Sequence, residues 1–147
     1  MKELATKALG TIEVSPQQII DFPDGLFGFQ EQKSFALVEE SADSPFKWLQ
    51  SVNDSDLAFV IIQPDLFLKS KYIPGVSATD LQSLHLYDIK ESLIFVIVTI
   101  PENNPSKMTA NLQGPILINP KERIARQVIS SNEKHVLRYP ILENMES

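Results

Sequence analysis

Cysteine is absent from this 147-residue chain, which excludes disulfides, thiol nucleophiles and thiolate-held metals. Stability has to come from packing. Histidine is nearly absent too: His85 and His135 are the only two, and neither lies near a Gly-x-Ser-x-Gly elbow, so a nucleophile and base relay has little to draw on. Five glycines form neither a Gly-x-Gly-x-x-Gly fingerprint nor a phosphate loop, the only close pair being Gly25 and Gly28. The longest nearly apolar run, Leu93 to Ile100, is far short of the ~20 residues that span a bilayer. The opening Met1 to Lys7 has no apolar stretch of the secretory kind, so a cytoplasmic protein without membrane contact is expected. Basic residues are outnumbered 13 to 19, a net charge of −6. That balance disfavours direct nucleic-acid binding, which needs clustered Lys and Arg, and suits either plain solubility or a basic protein partner.

Metal and cofactor chemistry find little support. His85 and Asp88 lack further convergent ligands, and Asp54-Ser55-Asp56 opens like a calcium loop but places Phe59 where that loop needs glycine. Carboxylates in water and turns are the plainer reading of these residues. No cluster of sugar-stacking aromatics supports carboxylate-pair hydrolysis. No catalytic residue, metal or cofactor is expected.

What is present is a soluble-protein composition, 43% hydrophobic and 22% charged, in a chain expected to form one domain over residues 1–147 with a loose tail from about Glu143. Such a length buries roughly two-thirds of the surface its unfolded form exposes. Short runs rich in Val, Ile and Phe, separated by Pro, Asn, Asp and Gly, give the strand-and-turn pattern. Strands are expected at Lys7 to Val14, Gln18 to Phe22, Ser34 to Glu39, Lys47 to Val52, Leu57 to Gln63, Leu93 to Ile100, Ile116 to Asn119 and Arg123 to Ile129. The fold class is mainly β: a sandwich or, as the preferred reading, a small antiparallel barrel-like domain of about eight strands. The Leu57 and Leu93 strands, apolar at almost every position, should be central and covered on both faces. The strand within Lys121 to Val128, with Lys121, Arg123 and Arg126 among Ile124 and Val128, should have a wet face or lie near an edge. Turns are expected at Pro23-Asp24-Gly25, Asn53-Asp54-Ser55 and Asn119-Pro120-Lys121. Ser77-Ala78-Thr79-Asp80 ahead of Leu81 and Leu84 signals one short helix.

The connection Phe22 to Phe29 is unusually apolar for a loop. Phe22 and Phe29 are expected to plug the barrel, with Leu26 and Phe27 at the turn better placed for contact with a partner. Phe46 and Trp48 divide between core and contact in the same way. Asp54 and Asp56 suit steering of a basic partner. Asn111 and Gln113 fit either recognition or hydrogen bonds to turn backbone.

The ordered segments Phe22-Pro-Asp-Gly-Leu-Phe-Gly-Phe29, Ser44-Pro-Phe-Lys-Trp-Leu-Gln-Ser51, Leu57-Ala-Phe-Val60, Ile97-Val-Thr-Ile-Pro101, Thr109-Ala-Asn-Leu-Gln-Gly-Pro115 with Ile118-Asn119, and Ala125-Arg-Gln-Val-Ile129 resemble the FliW family of flagellar assembly factors. The resemblance runs from about Gly10 to Ile141. It implies a small, non-enzymatic β-barrel-like protein, a monomer when free, that binds flagellin. It further implies that, once flagellin is depleted by export, the protein binds the translational repressor CsrA away from its RNA-binding surface and relieves repression of flagellin mRNA. Partner contacts are expected at Leu26, Phe27, Phe46, Trp48, Asp54, Asp56, Asn111 and Gln113. Gly114 stands where the family pattern more often has alanine, and Phe67 to Thr79 matches no motif. A flagellin-only chaperone and, from the fold class alone, a small-molecule-binding barrel or hydrolase are the alternatives.

Overall fold

A computed structural model describes residues 2–39, 41–68 and 71–142; the expected loose tail from Glu143 lies outside them. Eleven strands occur among the described residues: β1 (Lys2–Thr6), β2 (Gly10–Val14), β3 (Ile19–Asp21), β4 (Ser34–Val38), β5 (Phe46–Ser51), β6 (Ala58–Ile62), β7 (Leu93–Thr99), β8 (Thr109–Ala110), β9 (Ile116–Asn119), β10 (Ile124–Gln127) and β11 (Tyr139–Pro140). Seven of them close a barrel in the order β7-β6-β5-β4-β3-β10-β9, with β9 returning to pair with β7. Strand alternation then sends one set of side chains inward: Phe35, Leu49, Ile61, Phe95, Ile116, Ile118 and Ala125 form one buried cluster. Burying each of the larger ones contributes about 1.5–3 kcal/mol. Phe22 meets Phe35 edge-on at 5.2 Å between ring centres, an arrangement that aromatic quadrupoles favour. The barrel interior is therefore a packed core.

The outward set is covered in three places. The β1–β2 hairpin lays Leu4 and Val14 over Ala36, Val38 and Trp48. The connection after β6 and the ends at β8 and β11 cover Ile62, Val96 and Val98 with Phe67, Tyr72 and Ile141. Helix α1 (Ala78–Ser83) and the turn after it place Leu81, Leu84 and Leu86 on Leu117 and Val128. β6 and β7 are covered on both faces, as their unbroken apolar runs require. Ser77 caps α1 by accepting the Asp80 amide at 3.1 Å. His85 takes a left-handed φ of 59° just beyond α1, and the Leu86 amide reaches the Leu81 carbonyl at 2.9 Å.

One expectation is corrected and one is narrowed. Lys7 to Val14 is not one strand: residues 7–9 turn, so that Lys2–Thr6 pairs with Gly10–Val14. Gly10 takes φ 70°, and the Thr6 hydroxyl both donates to the Gly10 carbonyl (2.7 Å) and accepts the Leu9 amide (2.8 Å), closing the turn. For the strand within Lys121 to Val128 the wet-face alternative holds and the edge alternative does not. β10 pairs antiparallel with β9 and, at Ile124 and Asp21, parallel with β3, which closes the barrel. The polar outer face of β10 is Arg126, held in ion pairs, and the strand pairs with β9 along all four residues but with β3 at Ile124 alone.

Candidate functional site

Strand directions gather the chain ends of β3, β5, β7 and β10 at one end of the barrel, so the connections 22–33, 52–57 and 111–115 meet there. The 22–33 loop is shaped by two glycines. Gly25 takes φ 65°, and a side chain there would run into the backbone of Phe29 and Gln30 at 2.6 Å. Gly28 takes φ 83°. The two reversals drive Phe22 and Leu26 into the barrel, with Leu26 1% exposed, and turn Phe27 (49%) and Phe29 (42%) to solvent. The Leu26 carbonyl accepts the Phe29 amide at 2.7 Å, and the Phe29 ring rests edge-on against Phe59 at 5.2 Å.

This redistributes the expected roles. Phe22 plugs the barrel as anticipated, but Leu26 is a plug and not a surface contact, because it sits on the inward side of the Gly25 reversal. Phe29 is outside instead of plugging.

β10 braces the loop through two successive residues. Gln127, pointing inward at the barrel end, accepts the Phe27 amide on Oε1 at 2.9 Å and donates from Nε2 to the Gly114 carbonyl at 2.9 Å. Arg126, pointing outward, places Nη1 3.2 Å from Asp24 Oδ2 and Nε 3.3 Å from Asp80 Oδ1. Loop, helix and the 111–115 turn are thus tied to one strand. Gln127 and Arg126 were not among the expected site residues. Their signal was a pair of polar residues inserted between Ala125 and Val128 of an otherwise apolar strand.

Asn111 takes the plain role: its Oδ1 accepts the amides of Gln113 (3.0 Å) and Gly114 (2.9 Å), shaping the turn that leaves Gln113 exposed. Gly114 is buried against the Asn111 and Gln127 amides, each 3.0 Å from where a Cβ would stand, so an alanine would fit here only with small movements of both. Asp54 and Asp56 lie on the β5–β6 turn, where Asp54 Oδ1 accepts the Asp56 amide at 3.0 Å. The Ser51 hydroxyl joins that turn to the 22–33 loop by donating to Gln32 Oε1 at 2.7 Å. Gln50, fully buried, directs Nε2 at the Asp54 and Leu57 carbonyls at 3.2 and 3.1 Å.

Phe46 and Trp48 lie apart from this end. Both are half-buried on the outer face of β5, Phe46 against the Ile62 and Phe67 cluster and Trp48 beneath the β1–β2 hairpin. The eight expected contact residues therefore separate. Phe27, Asp54, Asp56 and Gln113 share the loop-bearing end as accessible groups, Leu26 and Asn111 support it, and Phe46 and Trp48 serve the outer layers. The end presents two aromatic rings amid the carboxylates of Asp24, Glu31, Asp54 and Asp56, the mixture of apolar anchor and charged surround from which protein contacts are made.

The histidines are separated as well. His85 Nδ1 lies 2.7 Å from Glu122 Oε1, and His135 Nδ1 lies 2.7 Å from the Ser130 hydroxyl. Among the described residues no three of His, Asp and Glu converge to hold a metal ion, and no helix is long and apolar enough to cross a membrane.

Residues 3–141 match the FliW protein family. The chain is 53% identical over 141 residues to a flagellar assembly factor FliW of Leptospira biflexa, covering 96% of this chain and 92% of that one. It is 39% identical over 146 residues to that of Thermoanaerobacter pseudethanolicus, covering 99% and 96% respectively. A crystal structure of the flagellar assembly factor FliW superposes with a TM-score of 0.84 at 34% identity, over 95% of this chain and 96% of that one. The barrel, the glycine-shaped loop and this likeness along nearly the whole length agree: the chain belongs to the FliW family of flagellar assembly factors.

Proposed function

We propose that this protein acts by stoichiometric binding in the cytoplasm, as a monomer when free. In this reading it holds flagellin before export. When flagellin is scarce it binds CsrA away from the RNA-binding surface, which frees flagellin mRNA for translation. The observation that carries the reading is the 22–33 loop, which exposes Phe27 and Phe29 while Gln127 holds its backbone at Phe27, Gly25 sets its turn and Ser51 holds the Gln32 side chain. An exposed aromatic held in one conformation loses little entropy on docking, which is what a contact anchor requires. Asp54 and Asp56 beside it would speed encounter with a basic partner such as an RNA-binding protein. The packed interior supports a binder over the ligand-holding barrel.

Mixing the purified chain with flagellin and with CsrA, separately and together, and following complex mass by chromatography with light scattering tests the proposal. Two complexes that exclude each other are expected, both weakened by Phe27→Ala. A ternary complex would refute competition, flagellin binding alone would leave a chaperone, and binding to neither folded partner would overturn the reading.

A further inference from the structure

The segment between Leu66 and α1, which carries no motif of the resemblance, builds a second surface. Phe67 and Tyr72 are buried in the outer layer over β6 and β7, and over residues 71–74 the chain alternates, with Lys71 and Ile73 pointing out, Ile73 61% exposed, and Tyr72 and Pro74 buried. The chain returns alongside it at residues 131–135, where the Ser131 amide donates to the Gly75 carbonyl at 3.0 Å. Between the two runs lies a cleft of about 320 Å³, with Lys71, Lys134 and His135 among the residues lining it and Tyr72, Leu112 and Tyr139 supplying its aromatic and apolar wall.

The wall is built before anything binds. The Tyr72 hydroxyl donates to the Leu112 carbonyl, and burial pushes its pKa well above the ordinary phenol range. The His135 ring lies 4.4 Å from the Tyr72 ring, centre to centre, and Ser130 holds its Nδ1 at 2.7 Å. Partial burial lowers the His135 pKa, so near neutral pH the positive charge of the cleft comes from Lys71 and Lys134. Asp65, the nearby carboxylate, is turned to the Tyr72 amide at 3.4 Å. Ion pairs among the described residues join Lys47 with Glu39, His85 with Glu122, and Arg126 with Asp24 and Asp80; neither cleft lysine takes part in one. Glu133 stands beside Lys134 in the same run, so what the cleft offers a carboxylate is not a net positive field but two lysines that no carboxylate among the described residues takes up, set over an aromatic wall.

We propose that this cleft docks an acidic peptide segment of a partner protein. One leucine or aromatic side chain of the segment seats against Leu112 and Tyr139, and its flanking carboxylates meet Lys71 and Lys134. The chemistry is the inverse of the Phe27 end, where aromatics stand among carboxylates, and the 111–115 turn lies between the two, with Gln113 facing one and Leu112 lining the other. The inference holds whether or not flagellin and CsrA are the partners of the other end.

The test uses the full chain and a set of acetylated, amidated hexapeptides alternating Asp or Glu with Leu or Phe, beside the same set with Asn and Gln. Binding is followed by the ring resonances of Tyr72 and His135. The acidic set should move both resonances and bind about tenfold more tightly than the neutral set, as two charge pairs of ordinary strength predict. Lys71→Glu combined with Lys134→Glu should remove that preference while leaving circular dichroism and the unfolding midpoint unchanged. Equal binding of both sets, an unaltered preference in the double variant, or no movement up to about 5 mM peptide, the range of very weak association, would overturn the proposal. So would inorganic phosphate moving the same resonances as strongly as the peptides, which would mark a bare anion site.

Discussion

Two long connections leave the barrel and return to it, residues 22–33 and residues 63–92, and they use similar apolar side chains in different ways. The first spends two residues, Phe22 and Leu26, on the inside of the barrel and turns two, Phe27 and Phe29, outward within the same eight positions. Its shape is local, set by two positive-φ glycines and side chains from β5 and β10. The second lies along the outside and buries Phe67, Tyr72, Leu84 and Leu86 against strands that already exist. Its shape depends on long-range contacts, such as Tyr72 reaching across forty positions to Leu112. In the first loop folding and contact are assigned to neighbouring residues, and in the second to separate pieces, a short alternating stretch at 71–74 and the helix that follows it.

Substitutions can break that comparison. The largest effect is expected for Leu26→Ala, which empties a fully buried position at the barrel end and should cost about 2–5 kcal/mol in urea unfolding; a loss below about 1 kcal/mol would show that the loop is not part of the core. Gly25→Ala should cost about 2 kcal/mol by the same measurement, since a Cβ meets backbone at 2.6 Å in a left-handed conformation. Tyr72→Phe leaves the Leu112 carbonyl without its donor and should cost about 1–2 kcal/mol, a direct reading of how far the second connection rests on that one bond.

Asp80→Ala and Asp24→Ala separate the two arms of Arg126. The Asp80 side chain is 21% exposed and that of Asp24 64%, so Asp80 should cost more, with both within about 1 kcal/mol. A double-mutant cycle with Arg126→Ala should find coupling in that same order. The smallest change in stability is expected for Phe27→Ala, within about 0.5 kcal/mol, because the backbone bond from its amide to Gln127 survives truncation. The same variant should weaken partner binding at least about tenfold, as loss of an aromatic anchor does. A Phe27→Ala protein that unfolds as easily as Leu26→Ala would erase the distinction between them.

Much of the barrel was legible in the sequence. Unbroken apolar runs mark β6 and β7 as strands with two covered faces, though which parity points inward, Phe59, Ile61, Phe95 and Ile97, is fixed only by the closed barrel. Ser77 announced α1, and Gly25 its turn, because caps and positive φ demand particular residue types. The two-residue strands β8 and β11 were not legible, being too short to carry a period. The β1–β2 hairpin was missed because its turn is made by a threonine side chain and lacks the usual Asn-Gly or Asp-Gly signal. At the site, Asp54, Asp56 and Gln113 read correctly as accessible or half-accessible turn residues, whereas Gln127 and Arg126 read only as strand residues.

By itself the sequence determined the strand-rich class, the approximate place of most barrel strands, the helix start, the absence of thiol chemistry and, through its ordered motifs, the family. Those properties depend on residue type and near-neighbour spacing. Only the tertiary structure decided that the sheet closes through a parallel contact between Ile124 and Asp21, that Leu26 lies inside and Phe29 outside, and that Arg126 and Gln127 tie three connections to one strand. Each of these joins residues far apart in the chain, and such contacts are selected by the packing of the whole barrel, which no local pattern encodes.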